Sequence, residues 1–166
     1  MAVTRLEITS RGPVGNGASF DGVGPYEFIR GTLHYAVDPG HSDSALIADM
    51  SLAPTESDGK VHFSSDLHLL TPVEPGPGGS LLFDVVNRGN RTAMSFNDAS
   101  PVLPSDDPDL GNGFLMRHGF TVAFCGWQTD VPDGRLRLHV PEALEPDGRR
   151  FTGQTYQQFD LIENSH

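Results

Sequence analysis

Leu81-Leu82-Phe83-Asp84-Val85-Val86, followed by Asn87-Arg88-Gly89-Asn90-Arg91, is the stretch on which the fold turns. Its first six residues are apolar apart from Asp84, which predicts a strand covered on both faces. The polar, glycine-containing turn ends that strand. Further along, Gly113-Phe114-Leu115-Met116-Arg117-His118 predicts a helix closed by Gly119. Phe120-Thr121-Val122-Ala123-Phe124-Cys125 then predicts a second strand, ending in Gly126-Trp127-Gln128. In an open sheet, ligands bind beyond the carboxyl ends of strands, so the loop after Val86 is a place to look for a site.

The segments before this unit alternate in hydrophobicity. Val3 to Thr9 reads as a first strand, and Tyr26 to Val37 as a longer one with Phe28, Leu33, Tyr35 and Val37 as its apolar positions. A change of register near Gly31 predicts a bulge. Leu46 to Leu52 reads as a short extended segment or helical turn. From Val61 to Leu70 the alternation is clearest. Val61, Phe63, Ser65, Leu67 and Leu69 point one way, and His62, Ser64, Asp66 and His68 the other, as in a half-buried antiparallel strand. Pro72 to Gly79 reads as a hairpin-like connector between antiparallel neighbours. Asn97 to Asn112 is a proline- and aspartate-rich excursion. Arg135 to Val140 predicts a strand stopped by Pro141, and Thr155 to Ile162 a last one. The expected fold is a β-rich α/β class. Antiparallel N-terminal strands lead into one strand–helix–strand unit, within a single partial domain over residues 1–166.

Composition narrows the function classes. A chain of 166 residues fits one domain with a modest core, and 19 Gly with 13 Pro demand many loops. The net charge of −11 argues against nucleic acid or an anionic membrane as the main partner, because both need a basic face. Cys125 is the single cysteine, so no internal disulfide forms, and its apolar surroundings predict a buried thiol. The first residues lack the basic and apolar regions of a signal peptide. No run approaches the ~20 apolar residues of a membrane span. A cytoplasmic protein is the expectation.

Several stretches together carry a resemblance. They are Gly24-Pro25-Tyr26-Glu27, Arg30-Gly31-Thr32-Leu33-His34-Tyr35-Ala36-Val37-Asp38-Pro39, Phe83-Asp84-Val85-Val86-Asn87-Arg88-Gly89-Asn90, Gly111-Asn112-Gly113-Phe114-Leu115-Met116-Arg117-His118-Gly119 and Gly126-Trp127-Gln128. On these the chain resembles the bacterial "alpha/beta hydrolase domain-containing" family of serine esterase- or lipase-like proteins. The likeness covers roughly Val3 to Ile162 and is sharpest from Phe83 to Gln128. Members of that family are much longer, so the resemblance implies their N-terminal portion: the front of an α/β-hydrolase sheet. It further implies an oxyanion-hole loop at Asn87, Arg88, Gly89 and Asn90, with Trp127 and Gln128 lining the pocket. In such enzymes one oxyanion donor comes from this strand-to-helix loop and the other from the residue after the nucleophile. Losing one donor costs roughly 3–4 kcal/mol of transition-state stabilisation. A small-molecule ester would be the substrate once a downstream segment completes the domain; no cofactor is implied. Read without the resemblance, residues 87–90 are also an ordinary turn.

The rest of the catalytic set is missing from the sequence. A serine hydrolase presents its nucleophile on Gly-x-Ser-x-Gly or a close relative, and none occurs. Ser95, between Ala93-Met94 and Phe96-Asn97, has no glycine at either outer position, and Ser64-Ser65 lies in a strand. His62 and His68 stand ~20 Å apart on one strand face, too far for one metal. Asp66 and His68, ~7 Å apart, lack a third ligand, so a solvated face is expected and no metal. Gly111 and Gly113 precede a helix, but the dinucleotide fingerprint wants a third glycine where Met116 stands. Asp106, Asp107 and Asp109 read as a solvated loop. Two functions follow. One is the front of a serine ester hydrolase, inactive alone and without catalytic residues of its own. The alternative is a free-standing β-rich module that binds a ligand or protein through the loops holding Asn87–Arg91 and Trp127. A sheet ending at the Phe120 strand leaves an unpaired edge and an uncovered apolar face, which predicts self-association or a complex.

Overall fold

The computed structural model describes residues 2–74, 76, 79–102, 108–154 and 156. Among these residues the strands are β1 (Ala2–Pro13), β2 (Ser19–Phe20), β3 (Gly24–Val37), β4 (Val61–Pro72), β5 (Leu81–Val85), β6 (Thr121–Cys125) and β7 (Leu138–His139), and the one α-helix is α1 (Phe114–Arg117). All seven strands belong to one sheet, ordered β1-β3-β4-β6-β5, with β2 added on β3 and β7 on β4. Neighbours are antiparallel from β1 to β6, whereas β5 and β6 run parallel. The result is a mixed, β-rich sheet with few helical residues among those described. As the sequence predicts, antiparallel strands lead into a strand–helix–strand unit.

Parallel pairing of β5 and β6 requires the chain to cross a sheet face between them. The crossover is built from a 3₁₀ turn, Thr92–Asn97, and the single turn of α1. It brings Met94, Leu115 and Met116 down onto Tyr26, Phe28, Leu70, Val122 and Phe124, all buried. Those five alternate along β3, β4 and β6 and share one face, so strand period and crossover together define the core. Tyr26 sits at its centre with no exposed surface. Its hydroxyl donates to the carbonyl of Phe120 at 2.9 Å, with the Met116 carbonyl at 3.2 Å. Burial pushes this phenol up to about 12.

Asp84, the polar break in β5, anchors the start of the crossover. Its carboxylate accepts the Thr92 hydroxyl at 2.6 Å and the Ala93 N–H at 2.7 Å. Asn97 does the same at the far end, accepting the Leu115 N–H at 2.8 Å.

Three expectations are corrected. First, β5 is not covered on both faces. It is an edge strand, and Leu81, Phe83 and Val85 are 64%, 56% and 60% exposed. The unpaired edge therefore belongs to β5, while the Phe120 strand lies inside the sheet. Second, the connector after Pro72 does not join neighbours, because β6 lies between β4 and β5. Third, only Leu138 and His139 of the stretch 135–140 pair as a strand. The segment 46–52 begins at the end of one 3₁₀ turn, Ser42–Leu46, and closes on a second, Met50–Leu52. Asp106, Asp107 and the predicted strand from Thr155, Tyr156 excepted, lie outside the described residues.

The bulge near Gly31 is present. The β1–β3 register shifts between Ile8 and Ser10, opposite Gly31 and Arg30. A Cβ at Gly31 would lie 2.4 Å from the Glu7 carbonyl oxygen, so only glycine admits this approach. Gly31→Ala should cost about 1–3 kcal/mol, the usual price of overpacking. Chemical denaturation will measure it, and amide exchange should accelerate first along β1.

Candidate functional site

Because β5 and β6 are parallel and in register, Val85 beside Cys125, their carboxyl ends stand level. The loops that follow, residues 86–90 and 126–130, therefore leave the sheet side by side. Residues 87–90 form a tight turn closed by Asn90 N–H donating to the Asn87 carbonyl at 3.0 Å. Both central residues take positive φ, +52° at Arg88 and +74° at Gly89, as in the tightest hairpin turns.

The two loops interlock. Gln128 Oε1 accepts the backbone N–H of Arg88 at 2.8 Å. The Arg88 guanidinium reaches the Asp130 carboxylate at 2.8 Å and the Asp130 carbonyl at 2.6 Å. This contact holds the Asp130 carboxyl below the usual carboxylate range. Trp127 donates its indole N–H to the carbonyl of Val86. All six residues singled out by sequence, Asn87, Arg88, Gly89, Asn90, Trp127 and Gln128, thus converge on one region.

Their settings differ. Asn87, Arg88 and Trp127 are exposed, Asn90 and Gln128 half-buried, and Gly89 buried. Gly89 is packed under residues 135 and 136: a Cβ there would lie 2.7 Å from both Arg135 Cβ and the Leu136 carbonyl oxygen. Its carbonyl accepts the Leu136 N–H at 3.1 Å, and the Arg135 guanidinium bonds Asn90 Oδ1. The close approach that requires a glycine here is made by the protein's own chain.

The polar face of β4 is more organised than a solvated face. His62 pairs with Asp58 at 3.0 Å. Asp66 accepts the Arg137 N–H at 2.9 Å and lies 3.0 Å from His139 Nε2. His68 turns inward, edge-on to the Phe28 ring with centroids 5.0 Å apart, and its Nδ1 is buried without a hydrogen-bond partner. Among the described residues no group of three or more His, Cys, Asp or Glu side chains is placed to hold a metal ion.

No nucleophile emerges from the serines that sequence analysis considered. The Ser95 hydroxyl donates to the Thr92 carbonyl at 2.8 Å within its 3₁₀ turn. Ser65 is wholly buried, 3.0 Å from the Tyr35 hydroxyl and 3.2 Å from Cys125 Sγ. This Tyr35–Ser65–Cys125 cluster was missed by sequence reasoning. It borders a cavity of about 520 Å³ on the sheet face opposite the crossover, with Trp127 also on its lining. The alternation of Val61, Phe63 and Ser65 was its only trace in the sequence.

No family model, no curated protein and no solved structure matches the chain.

His68 gives the fold an acid sensitivity. Burial first, then the nearby Arg91 and Arg30, lower its pKa from the ordinary 6.5 to about 3. The unfolded chain therefore binds this proton before the folded one does. The associated stability is complete above pH 6.5 and is lost as pH falls toward 3. Melting temperature should fall between pH 7 and pH 5 more steeply for the parent protein than for His68→Gln, whatever their difference at neutral pH.

Proposed function

We propose that this chain supplies the leading part of an α/β-hydrolase-like domain that handles small-molecule esters, and that it contributes binding surface in place of a nucleophile. The observation that carries this reading is the interlocked pair of loops at the level carboxyl ends of β5 and β6, where Gln128 Oε1 sits 2.8 Å from the Arg88 N–H. An acceptor oxygen at that distance occupies the place an oxyanion would take beside a backbone donor, where ~2.7–3.1 Å is expected. In this reading, loop 87–90 forms half of an oxyanion hole and Gln128 holds it until a substrate oxygen displaces the amide. The antiparallel strands that feed a parallel, crossover-linked pair support the same lineage, as does the resemblance through Phe83 to Gln128.

The outer edge of β5 is where this sheet takes a further strand. Along this edge strand Leu81, Phe83 and Val85 expose an apolar row on one sheet face, and Asp84 is turned inward to the crossover, so none of the described side chains of β5 sets a charge there. A downstream segment would extend the sheet here and bring the nucleophile, acid and base. The second reading, a free-standing binding module, draws its support from the apolar cavity beside Trp127.

Two outcomes follow. The isolated chain should not turn over p-nitrophenyl acetate or butyrate above background, nor take up a fluorophosphonate label; labelled serine with turnover overturns the proposal. In sizing experiments the chain should self-associate through β5, and Phe83→Lys should restore a monomer with little change in melting temperature. A monodisperse parent protein would leave the free-standing module as the better account.

A further inference from the structure

We propose that the cavity beneath Trp127 is a binding site for an uncharged, largely apolar small molecule carrying one oxygen function, such as an aliphatic alcohol. The site stands on its own geometry and does not depend on the ester-hydrolase reading. At about 520 Å³ it falls within the ~300–1,000 Å³ of small-molecule pockets. Its lining includes Tyr35 and Phe63, stacked at 4.8 Å with rings 13° apart, and Cys125 at the end of β6. Because the Trp127 indole N–H is committed to the Val86 carbonyl, the polar end of that ring is held by the residue that follows β5.

Polarity in the cavity is concentrated at one point. The Tyr35 hydroxyl lies 3.0 Å from Ser65 Oγ and 3.6 Å from Cys125 Sγ. Tyr35 and Cys125 border the cavity while Ser65 is sealed behind them. A phenol can donate and accept, so this cluster offers one place for a ligand hydroxyl or carbonyl. Burial raises the Tyr35 pKa, which keeps the hydroxyl protonated at physiological pH.

Charge decides the rest of the ligand's chemistry. Among the described residues that line the cavity, Asp49 is the one that carries a charge, and it is exposed. The chain carries a net −11. None of the described lining residues is a cation that could meet a carboxylate or phosphate, and desolvating an unpaired anion there is costly. A neutral ligand avoids both penalties.

The test uses the whole chain and N-phenyl-1-naphthylamine, a neutral fluorescent probe. The probe should bind saturably, with energy transfer from Trp127. Decan-1-ol should displace it about tenfold more effectively than decanoate, a difference of about 1.4 kcal/mol. Ala48→Phe fills the cavity from an exposed position and should abolish binding, whereas Phe83→Ser on the β5 edge should not. Tyr35→Phe should retain the probe but weaken displacement by decan-1-ol several-fold. Alkylation of Cys125 by N-ethylmaleimide should slow in the presence of decan-1-ol. The proposal is overturned by non-saturable binding, by equal displacement with decanoate, or by binding that survives Ala48→Phe and disappears in Phe83→Ser. None of these results bears on whether β5 accepts a further strand or on ester turnover, so failure here leaves the hydrolase reading untouched.

Discussion

At Asp66 the central strand β4 changes partners, and much of the molecule is arranged around that change. Beyond it β4 pairs with β6, from Leu67 to Leu70; before it β4 pairs with β7, at Ser64 and Ser65. Asp66 joins the two. Its N–H donates to the Arg137 carbonyl at 3.0 Å, and its carbonyl accepts the Gly126 N–H at 2.9 Å. Its carboxylate takes the Arg137 N–H and faces His139. A carboxylate that meets backbone donors at a junction is satisfied without deep burial. Once β6 ends at Cys125, the chain at Trp127 and the return at Leu138 border the apolar cavity. The same return carries residues 135 and 136 against Gly89 and clamps the candidate loop.

Carboxylates play this part elsewhere. Asp84 secures the first turn of the crossover, and the nearly buried Glu27 takes both arms of Arg11 at 2.6 Å, tying β1 to β3. An acidic chain thus uses its inward-facing charges as connectors between elements. The exposed ion pairs, such as Arg149 with Asp147, add little by comparison.

Local pattern made much of this fold legible. The alternation from Val61, the long strand through Tyr35, the bulge at Gly31 and the loops after Val86 and Cys125 all stand where their residues predict. These features depend on neighbours in sequence, where period and turn chemistry act. What stayed hidden depends on which strand lies beside which. A continuous apolar run such as Leu81 to Val86 looks the same whether helices cover it or whether it waits at an edge. The connector after Pro72 looks like a hairpin until β6 inserts between its strands. His139 gives no hint that it will meet Asp66, 73 residues earlier, and nothing in Tyr35 announces Ser65 and Cys125. The sequence points to the loop 87–90 as a turn but not to the packing of Gly89 under Leu136, since a glycine in a turn has several sufficient explanations.

The hydroxyl of Tyr26 reaches the carbonyl of Phe120, 94 residues later in the chain. A chain emerging from the ribosome N-terminus first exposes β1, β3 and β4 long before that carbonyl exists. The early antiparallel strands can pair, but their core-facing side, Tyr26, Phe28 and Leu70, has only the partial cover of Val14 and Phe20 until the crossover and β6 arrive. The core on this sheet face therefore cannot close before the segment around residue 120 has been made, however early β1, β3 and β4 pair.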